Sequence, residues 1–157
     1  MGIMNVLKEP NDTLRSPAKE MAVDDITSER VQTLITDMIA TMYASNGVGI
    51  AGPQVGSNER VIIVETGEGA KAFINPKIVS RSLSKTDSEE GCLSVPGVFG
   101  IVKRHKRVTV EALDRNARKV KIKAQGLPAI IFQHEIDHLD GVLFIDKVEK
   151  MTSPPRL

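Results

Sequence analysis

The stretch Gln133-His134-Glu135-Ile136-Asp137-His138 decides how this chain is organised. On a helix, residues four positions apart lie on one face, so His134 and His138 can reach a single ion. Glu135 follows the first histidine, where its carboxylate can take a proton from a water that the ion polarises. A catalytic site of this kind needs three protein ligands and one open position. The third ligand must therefore come from another part of the chain.

Two other residues are of a type that could supply the third ligand. The third histidine, His105, lies in the basic run 103–107, and the single cysteine is Cys92. A lone cysteine cannot form an intramolecular disulfide, so Cys92 serves in packing, reactivity or ligation. One thiolate and the two imidazoles of His134 and His138 would suit a catalytic site better than a closed structural one. On spacing alone, a small buried hydrophobic role for Cys92 stays the alternative.

The residues around the motif predict a helix that buries both histidines. Gly126 precedes this helix, and Gly141 is well placed to end it. Three apolar residues share one stripe with the histidines: Leu127, Ile130 and Ile131. The histidines are therefore expected among apolar side chains on the buried face.

The rest of the chain predicts one more long helix and several short strands. Apolar residues at helical spacing predict an N-terminal amphipathic helix from Ser28 to Ser45, whereas residues 9–19 look like an irregular arm. β-Branched runs and alternating patterns predict strands at 61–64, 72–75, 78–80, 108–113 and 120–124. The last two would form a hairpin. We therefore predict an α+β fold in which small antiparallel β-sheets pack around the central metal-binding helix.

Length and composition predict one domain over residues 1–157. The chain has 41% hydrophobic and 26% charged residues, which is typical of a globular protein with a real core. Its net charge of +1 gives no global electrostatic reason to expect nucleic acid or membrane as the main partner. The N-terminus lacks the charged and apolar regions of a secretory signal. We expect a cytoplasmic location, where a ligating thiol would also stay reduced.

Two further stretches have both a plain and a functional interpretation. The glycine-rich stretch 47–54 is either a mobile connector or a backbone segment that approaches a ligand closely. It lacks the third glycine and the preceding strand of a dinucleotide-binding motif, but Gln54 at its end could present an amide N–H to a developing oxyanion. The basic run 103–107 is interpreted as a solvated strand edge or turn in preference to a docking patch.

Two other functional classes have partial support. The residues after His138 follow the extended pattern of a zinc peptidase up to its last position, where Phe144 replaces the third histidine and cannot bind metal. A catalytically silent metal-binding or ribosome-associated domain is supported only by residues 103–107. Glu135 argues against this second class, because a purely structural metal site does not need that carboxylate.

Taken together, residues 47–54, 90–94 and 133–138 resemble the three signature motifs of peptide deformylase, in the order of that family. Residues 10–15 are similar to the family's opening segment, and the resemblance covers about residues 3–146. It implies a hydrolase that removes the formyl group from the N-terminal formyl-methionine of new polypeptides and releases formate. The implied partners are N-formylmethionyl peptides of nascent chains, with a transient ribosome contact, no membrane and no specific nucleic-acid binding.

The resemblance also implies roles for individual residues. Cys92, His134 and His138 would hold one divalent metal ion, Fe²⁺ in the cell, replaceable by Zn²⁺, Ni²⁺ or Co²⁺. Glu135 would be the acid and base, while Gln54 and the backbone N–H of Leu93 would flank the formyl oxygen. The implied substrate-binding residues line the peptide or the methionine pocket: Gly47, Val48, Gly49, Gly91, Leu127, Ile130 and Ile131.

The chain departs from the family pattern in three places. Gly52 stands where the first motif usually ends in alanine, and Phe99 stands where some members carry an arginine. The sequence ends at Leu157, without the long C-terminal helix of many bacterial members. Every implied metal and acid–base position is present, so we expect activity.

Overall fold

A computed structural model describes residues 2–152 of the chain. Its α-helices are α1 (Asp12–Arg15), α2 (Val23–Ile26), α3 (Glu29–Ala44) and α4 (Leu127–Leu139). Its strands are β1 (Gly49–Ala51), β2 (Val61–Thr66), β3 (Gly69–Arg81), β4 (Lys85–Cys92), β5 (Val95–His105), β6 (Arg107–Leu113), β7 (Lys119–Gln125) and β8 (Val148–Thr152). Single turns of 3₁₀ helix cover Gly52–Val55 and Phe144–Asp146. Within the described residues, no helix is long and apolar enough to cross a membrane.

The strands form two antiparallel sheets. The larger sheet has the order β1-β2-β3-β6-β7, and the smaller has the order β4-β5-β8. The α+β class with antiparallel sheets is therefore confirmed. The predicted hairpin is β6–β7, while the predicted strands 72–75 and 78–80 are two parts of the single strand β3, which is irregular between Ile74 and Lys77.

The larger sheet is covered by α4 on one face and, over part of the other, by α3. Ile62 of β2 belongs to the cluster around α4, whereas its neighbour Ile63 belongs to the cluster that includes Met38 of α3. On the α4 side, the rings of Phe73 and Phe132 meet edge to face, with centroids 5.0 Å apart. Burial on both faces explains why β2 begins with four consecutive apolar residues.

The described N-terminal region contains more regular structure than the sequence predicts. Residues 12–15 of the expected irregular arm form α1, because the side chain of Asn11 accepts a hydrogen bond from the N–H of Thr13 and caps the turn. Ser28 caps α3 in the same way, through the N–H of Val31. The glycine-rich stretch forms β1 and a 3₁₀ turn, so it is not a simple connector.

The interpretation of residues 103–107 as a solvated edge or turn is wrong for Arg104. Residues 103–105 belong to β5, and the side chain of Arg104 is only 2% exposed. It points inward because the carboxylates of Glu90 and Asp137 offset the cost of burying its charge. Lys106 and Arg107 are exposed, as expected for the rest of the run.

Candidate active site

The three candidate metal ligands converge between α4 and the end of β4. The Sγ atom of Cys92 lies 3.4 Å from Nε2 of His138, and the rings of His134 and His138 have centroids 5.0 Å apart. One ligand atom from each of the three residues lies within 4.8 Å of the others. The cysteine therefore joins the two histidines although it lies 42 positions before the first of them in the sequence.

Local structure explains how the chain brings these residues together. Cys92 pairs with Val95 across the tight turn that joins β4 to β5, so the turn presents the thiol at the end of the hairpin. Gly126 precedes α4 with φ of 65°, a conformation that favours glycine, and Pro128 stands in the first helical turn. From that start, the helical period directs the stripe of His134 and His138 towards the hairpin.

Glu90 orients the imidazole of His134. Its Oε1 lies 2.9 Å from Nδ1 of His134, and because a carboxylate can only accept, Nδ1 carries a proton and Nε2 is the ring nitrogen that remains for an ion. Arg104 donates to both carboxylate oxygens of Glu90 at 2.8 Å. Burial tends to raise the pKa of Glu90, but hydrogen bonds from Arg104 and His134 outweigh it and lower the pKa to about 2. Glu90 is therefore ionised at neutral pH.

Arg104, like Glu90, is a residue of the site that sequence reasoning missed. Its Nη1 also donates to Asp137 of α4 at 2.7 Å, so one guanidinium joins β4, β5 and α4. The available signal was its position two residues after Val102, which places both side chains on the inward face of β5. The neighbouring exposed cations obscured that signal.

Glu135 and His138 are buried ionisable residues of α4 at the place where the three candidate ligands converge. Glu135 is 5% exposed, and burial raises its pKa to about 7. Within the described residues, its Oε1 is buried without a hydrogen-bond partner, so it can accept a hydrogen bond from a molecule in the site. Burial, followed by the charges of His134 and Arg104, holds the pKa of His138 well below its usual value. His138 is therefore a neutral imidazole, the form that binds metal.

Gln54 presents its amide N–H beside the candidate ligands. Its side-chain oxygen accepts from the N–H of Ala51 at 2.9 Å, which fixes the orientation of the amide. Its Nε2 then donates towards Ser94 Oγ at 3.2 Å and lies 3.7 Å from Cys92 Sγ. The amide N–H of Gln54 therefore lies next to the thiol, and its role as a donor to an oxyanion stays a prediction.

A cleft of about 510 Å³ opens onto this centre. All of the residues predicted to contact the substrate line it: Gly47, Val48, Gly49, Gly91, Leu127, Ile130 and Ile131. Cys92, Leu93 and His134 also line the cleft, whereas His138 lies below its surface at 1% exposure. The edge strands β1 and β4 of the two sheets both border it.

Two of the departures from the family pattern have a structural setting. The ring of Phe99 lines the cleft and packs on Gly91, where an added Cβ would lie 2.5 Å from the ring. At Gly52, an added Cβ would lie 2.6 Å from the carbonyl oxygen of Glu59. Both glycines therefore allow close packing around the site.

The donor atoms fit a transition-metal ion. A thiolate and two imidazoles suit Zn²⁺, iron and related divalent metals, and the open cleft leaves room for a further ligand. A buried carboxylate next to such a set can manage the proton of a water molecule. Fold and site together define a metal-dependent hydrolase.

Comparison with known proteins identifies the particular family. The sequence profile of the polypeptide deformylase family matches residues 3–153. The chain is 47% identical to a peptide deformylase of Acetivibrio thermocellus over 94% of this chain and 85% of that protein. It is 48% identical to a peptide deformylase of Halothermothrix orenii over 96% of this chain and 97% of that protein.

A solved structure agrees with these relatives. The Met-Ala-Ser-bound peptide deformylase of Acinetobacter baumannii superposes with a TM-score of 0.89 at 38% identity, over 94% of this chain and 100% of that chain. The chain belongs to the polypeptide deformylase family. It is therefore an enzyme that removes the N-formyl group from newly made polypeptides with a divalent metal ion, and the silent-domain alternative is not favoured.

Proposed function

We propose that Cys92, His134 and His138 hold one divalent ion, with which the chain hydrolyses N-formylmethionyl peptides to formate and a free N-terminal amine. The observation that carries this proposal is the convergence of these three ligands beside buried Glu135, at the wall of an open cleft. In the balanced reaction, the oxygen of water bonds to the formyl carbon, the C–N bond breaks, and the amine gains a proton.

The proposed ion in the cell is Fe²⁺, with Zn²⁺, Ni²⁺ or Co²⁺ as substitutes. When bound, the ion supplies Lewis acidity that lowers the pKa of water from ~16 towards neutrality. The support for iron is the resemblance of the three motifs, since the thiolate–imidazole set suits all four metals. Metal analysis of protein purified without oxygen would test this choice, and iron well below the zinc content would contradict it.

Glu135 is proposed to move the proton. It follows the first ligand on α4, and its carboxylate faces Gly49 at the edge of the cleft. From there it can accept the proton of the attacking water and pass it to the leaving nitrogen. This role rests on the position of Glu135 between the ligands and the cleft.

Gln54 and Leu93 are proposed to stabilise the developing negative charge on the formyl oxygen. The Nε2 of Gln54 is aimed at the ligand thiol, and the backbone N–H of Leu93 follows directly after Cys92. Loss of one such donor typically costs ~3 kcal/mol of transition-state stabilisation. The two N–H groups would therefore contribute substantially to the rate.

The peptide is proposed to bind in an extended conformation between β1 and β4. Each of these strands is the edge of its sheet, and an edge strand can pair with an added peptide strand. Val48, Leu127, Ile130 and Ile131 provide an apolar wall for the methionine side chain. Methionine selectivity would be modest, at ~1–3 kcal/mol per methylene, whereas selectivity for formyl over acetyl would be steric.

Residues 1–157 are proposed to form a single catalytic domain. The support is that α4 packs on the larger sheet while its Asp137 is tied to β5 of the smaller sheet. A transient ribosome contact and a cytoplasmic location stay predictions.

The test is formate release from formyl-Met-Ala-Ser, with acetyl-Met-Ala-Ser as the matched control peptide. Protein purified without oxygen and reloaded with Ni²⁺ should release formate from the first peptide and leave the second intact. No formate despite one bound ion per chain would contradict the proposal and favour a silent metal-binding domain. Cleavage between residues of the peptide would favour the zinc peptidase class instead.

A further inference from the structure

The segment 4–9 lies against two buried residues of the catalytic centre, and we call it the N-terminal segment. The backbone N–H of Leu7 donates to the carbonyl oxygen of Gln54 at 2.7 Å. The backbone N–H of Glu9 donates to the carbonyl oxygen of Ser94 at 2.8 Å. The two acceptor residues are 2% and 0% exposed. Since alternate N–H groups of an extended chain point to the same side, one edge of the N-terminal segment holds both residues.

These two acceptor residues carry or adjoin the proposed oxyanion donors. Gln54 supplies the side-chain amide, and Ser94 directly follows Leu93, whose backbone N–H is the other proposed donor. Leu93 and Ser94 are the two residues of the turn between the paired Cys92 and Val95. The Nε2 of Gln54 donates to Ser94 Oγ at 3.2 Å, so the side chains are also joined to each other. A shift of Ser94 would therefore disturb both donors.

The N-terminal segment joins the two sheets at the catalytic centre. Gln54 lies in the 3₁₀ turn that follows β1 of the larger sheet, whereas Ser94 lies in the turn between β4 and β5 of the smaller sheet. The two backbone hydrogen bonds from the segment and the bond between Gln54 and Ser94 form a closed set of three. Hydrogen bonds of this supporting kind hold functional groups within the small tolerance that catalysis requires.

Both ends of the N-terminal segment are anchored. At one end, the N–H of Met4 donates at 2.8 Å to Oγ1 of Thr41, a fully buried residue of α3. At the other end, Arg15 donates to Oε1 of Glu9 through Nε at 3.1 Å and Nη2 at 2.9 Å. The remaining Nη1 of Arg15 donates to Asp146 at 2.5 Å. The two bonds to the catalytic centre therefore lie between two fixed points.

We propose that the N-terminal segment positions the two oxyanion donors, with Leu7 and Glu9 as positioning residues that act through Gln54 and Ser94. This inference rests on the proposed function of Gln54 and Leu93. Leu7 and Glu9 do not line the cleft, so they affect the reaction only through the residues that they hold. An oxyanion donor is effective only if its geometry is fixed before the reaction, and a displacement of ~1 Å can cost ~10²-fold in rate.

The test variant is Leu7→Pro, because proline removes the backbone N–H and fits an extended segment. Leu7→Ala is the first control, since it shortens the side chain and keeps the N–H. Lys8→Pro is the second control and places the same ring one position further on. Lys8 is exposed, and among the described residues its N–H donates to no other backbone group. Kinetics with formyl-Met-Ala-Ser, metal content and melting temperature are measured for each full-length, Ni²⁺-loaded protein.

Leu7→Pro should lower kcat by ~10–100-fold at normal metal content, with KM within about twofold of the wild type, because the lost interaction acts in the transition state. Both controls should stay within about twofold of the wild type in kcat and KM.

A double variant separates positioning from a general structural effect. Gln54→Ala alone should lower kcat by ~10²–10³-fold. Adding Leu7→Pro to Gln54→Ala should then change kcat by less than about twofold, because the two residues act as one unit. A purely structural role of Leu7 would instead multiply the two losses.

Arg15→Gln tests the anchor without changing the backbone. The ion pair of Arg15 with Glu9 is partly exposed, so the stability should change little. The kcat should nevertheless fall by about three- to tenfold, since the end of the N-terminal segment is released. The matched control is Arg30→Gln, which removes another surface ion pair, with Glu59, and should leave kcat unchanged.

Two results with folded Leu7→Pro protein would overturn the inference: a kcat equal to that of Lys8→Pro, or full multiplication of the losses in the double variant. If Leu7→Pro does not fold, an unchanged kcat in Arg15→Gln overturns it. Each of these results, obtained with a wild type that releases formate, leaves the proposed function intact. A wild type without formate release contradicts the proposed function itself.

Discussion

At the scale of single residues, the backbone of β1 passes so close to Glu135 that only glycine fits at position 49. An added Cβ there would lie 2.6 Å from Oε2 and 2.9 Å from Cγ of Glu135. Real Cβ atoms do not approach other atoms this closely, so a larger residue would displace the carboxylate. Gly49 is therefore a positioning residue for Glu135.

Gly49→Ala should lower kcat for formyl-Met-Ala-Ser by at least about tenfold while the metal content stays normal, because a misplaced catalytic group loses rate. The matched control is Gly67→Ala, since an added Cβ at Gly67 has no neighbour within 4 Å. Steady-state kinetics and metal analysis of both variants check this. Equal rates in the two variants would show that Glu135 is not constrained through Gly49.

Glu135→Gln should retain one metal ion per chain and lose ~10²–10⁴-fold in kcat, because the amide cannot accept the proton. Glu149→Gln is the control, since Glu149 is an exposed residue outside the cleft. Metal content and formate release should be measured on the same samples. Near-normal turnover of Glu135→Gln would remove Glu135 from the mechanism.

At the scale of elements, helix α4 and the β4–β5 hairpin differ in how far the sequence predicts them. The spacing of His134 and His138 gives the helix face directly, and the alternating residues of β6 and β7 indicate their hairpin. The β4–β5 hairpin could not be predicted in this way, because its inward residues include Ser88, Glu90 and Arg104. These buried polar groups support the site, and they invert the pattern of apolar-in and polar-out residues on which strand prediction depends.

Arg104→Gln should destabilise the protein by about 3–5 kcal/mol, because Glu90 would stay buried without its main counter-charge. It should also weaken metal binding by about 10–100-fold, since Glu90 orients the proposed ligand His134. Urea unfolding and metal competition measure the two effects. The control Arg30→Gln removes the partner of Glu59 at the surface and should change both quantities much less. Equal effects of the two substitutions would contradict the structural role of Arg104.

At the scale of the whole molecule, the candidate metal site joins parts of the chain that are distant in sequence. Cys92 belongs to the smaller sheet, whereas His134 and His138 belong to the helix that packs on the larger one. An ion held by all three would connect the two sheets and bind the folded state only. The sequence predicts the ligand types, but their convergence depends on the packing of both sheets.

Removal of the metal should therefore lower stability. An ion that binds only the folded chain adds ~4 kcal/mol to the free energy of unfolding when its free concentration is a thousand times its dissociation constant. Thermal unfolding before chelation, after chelation and after reloading with Ni²⁺ checks this. The melting temperature should fall with chelation and recover with Ni²⁺, and no change on metal removal would contradict a connecting role for the site.

The most direct test of the central claim compares bound metal and formate release in the same samples of the wild type and Cys92→Ser. The account predicts one ion per chain and turnover of formyl-Met-Ala-Ser in the wild type, with much weaker metal binding and little turnover in the variant. Wild-type metal content and wild-type turnover in Cys92→Ser would show that the thiol is not a ligand and would contradict the proposed centre.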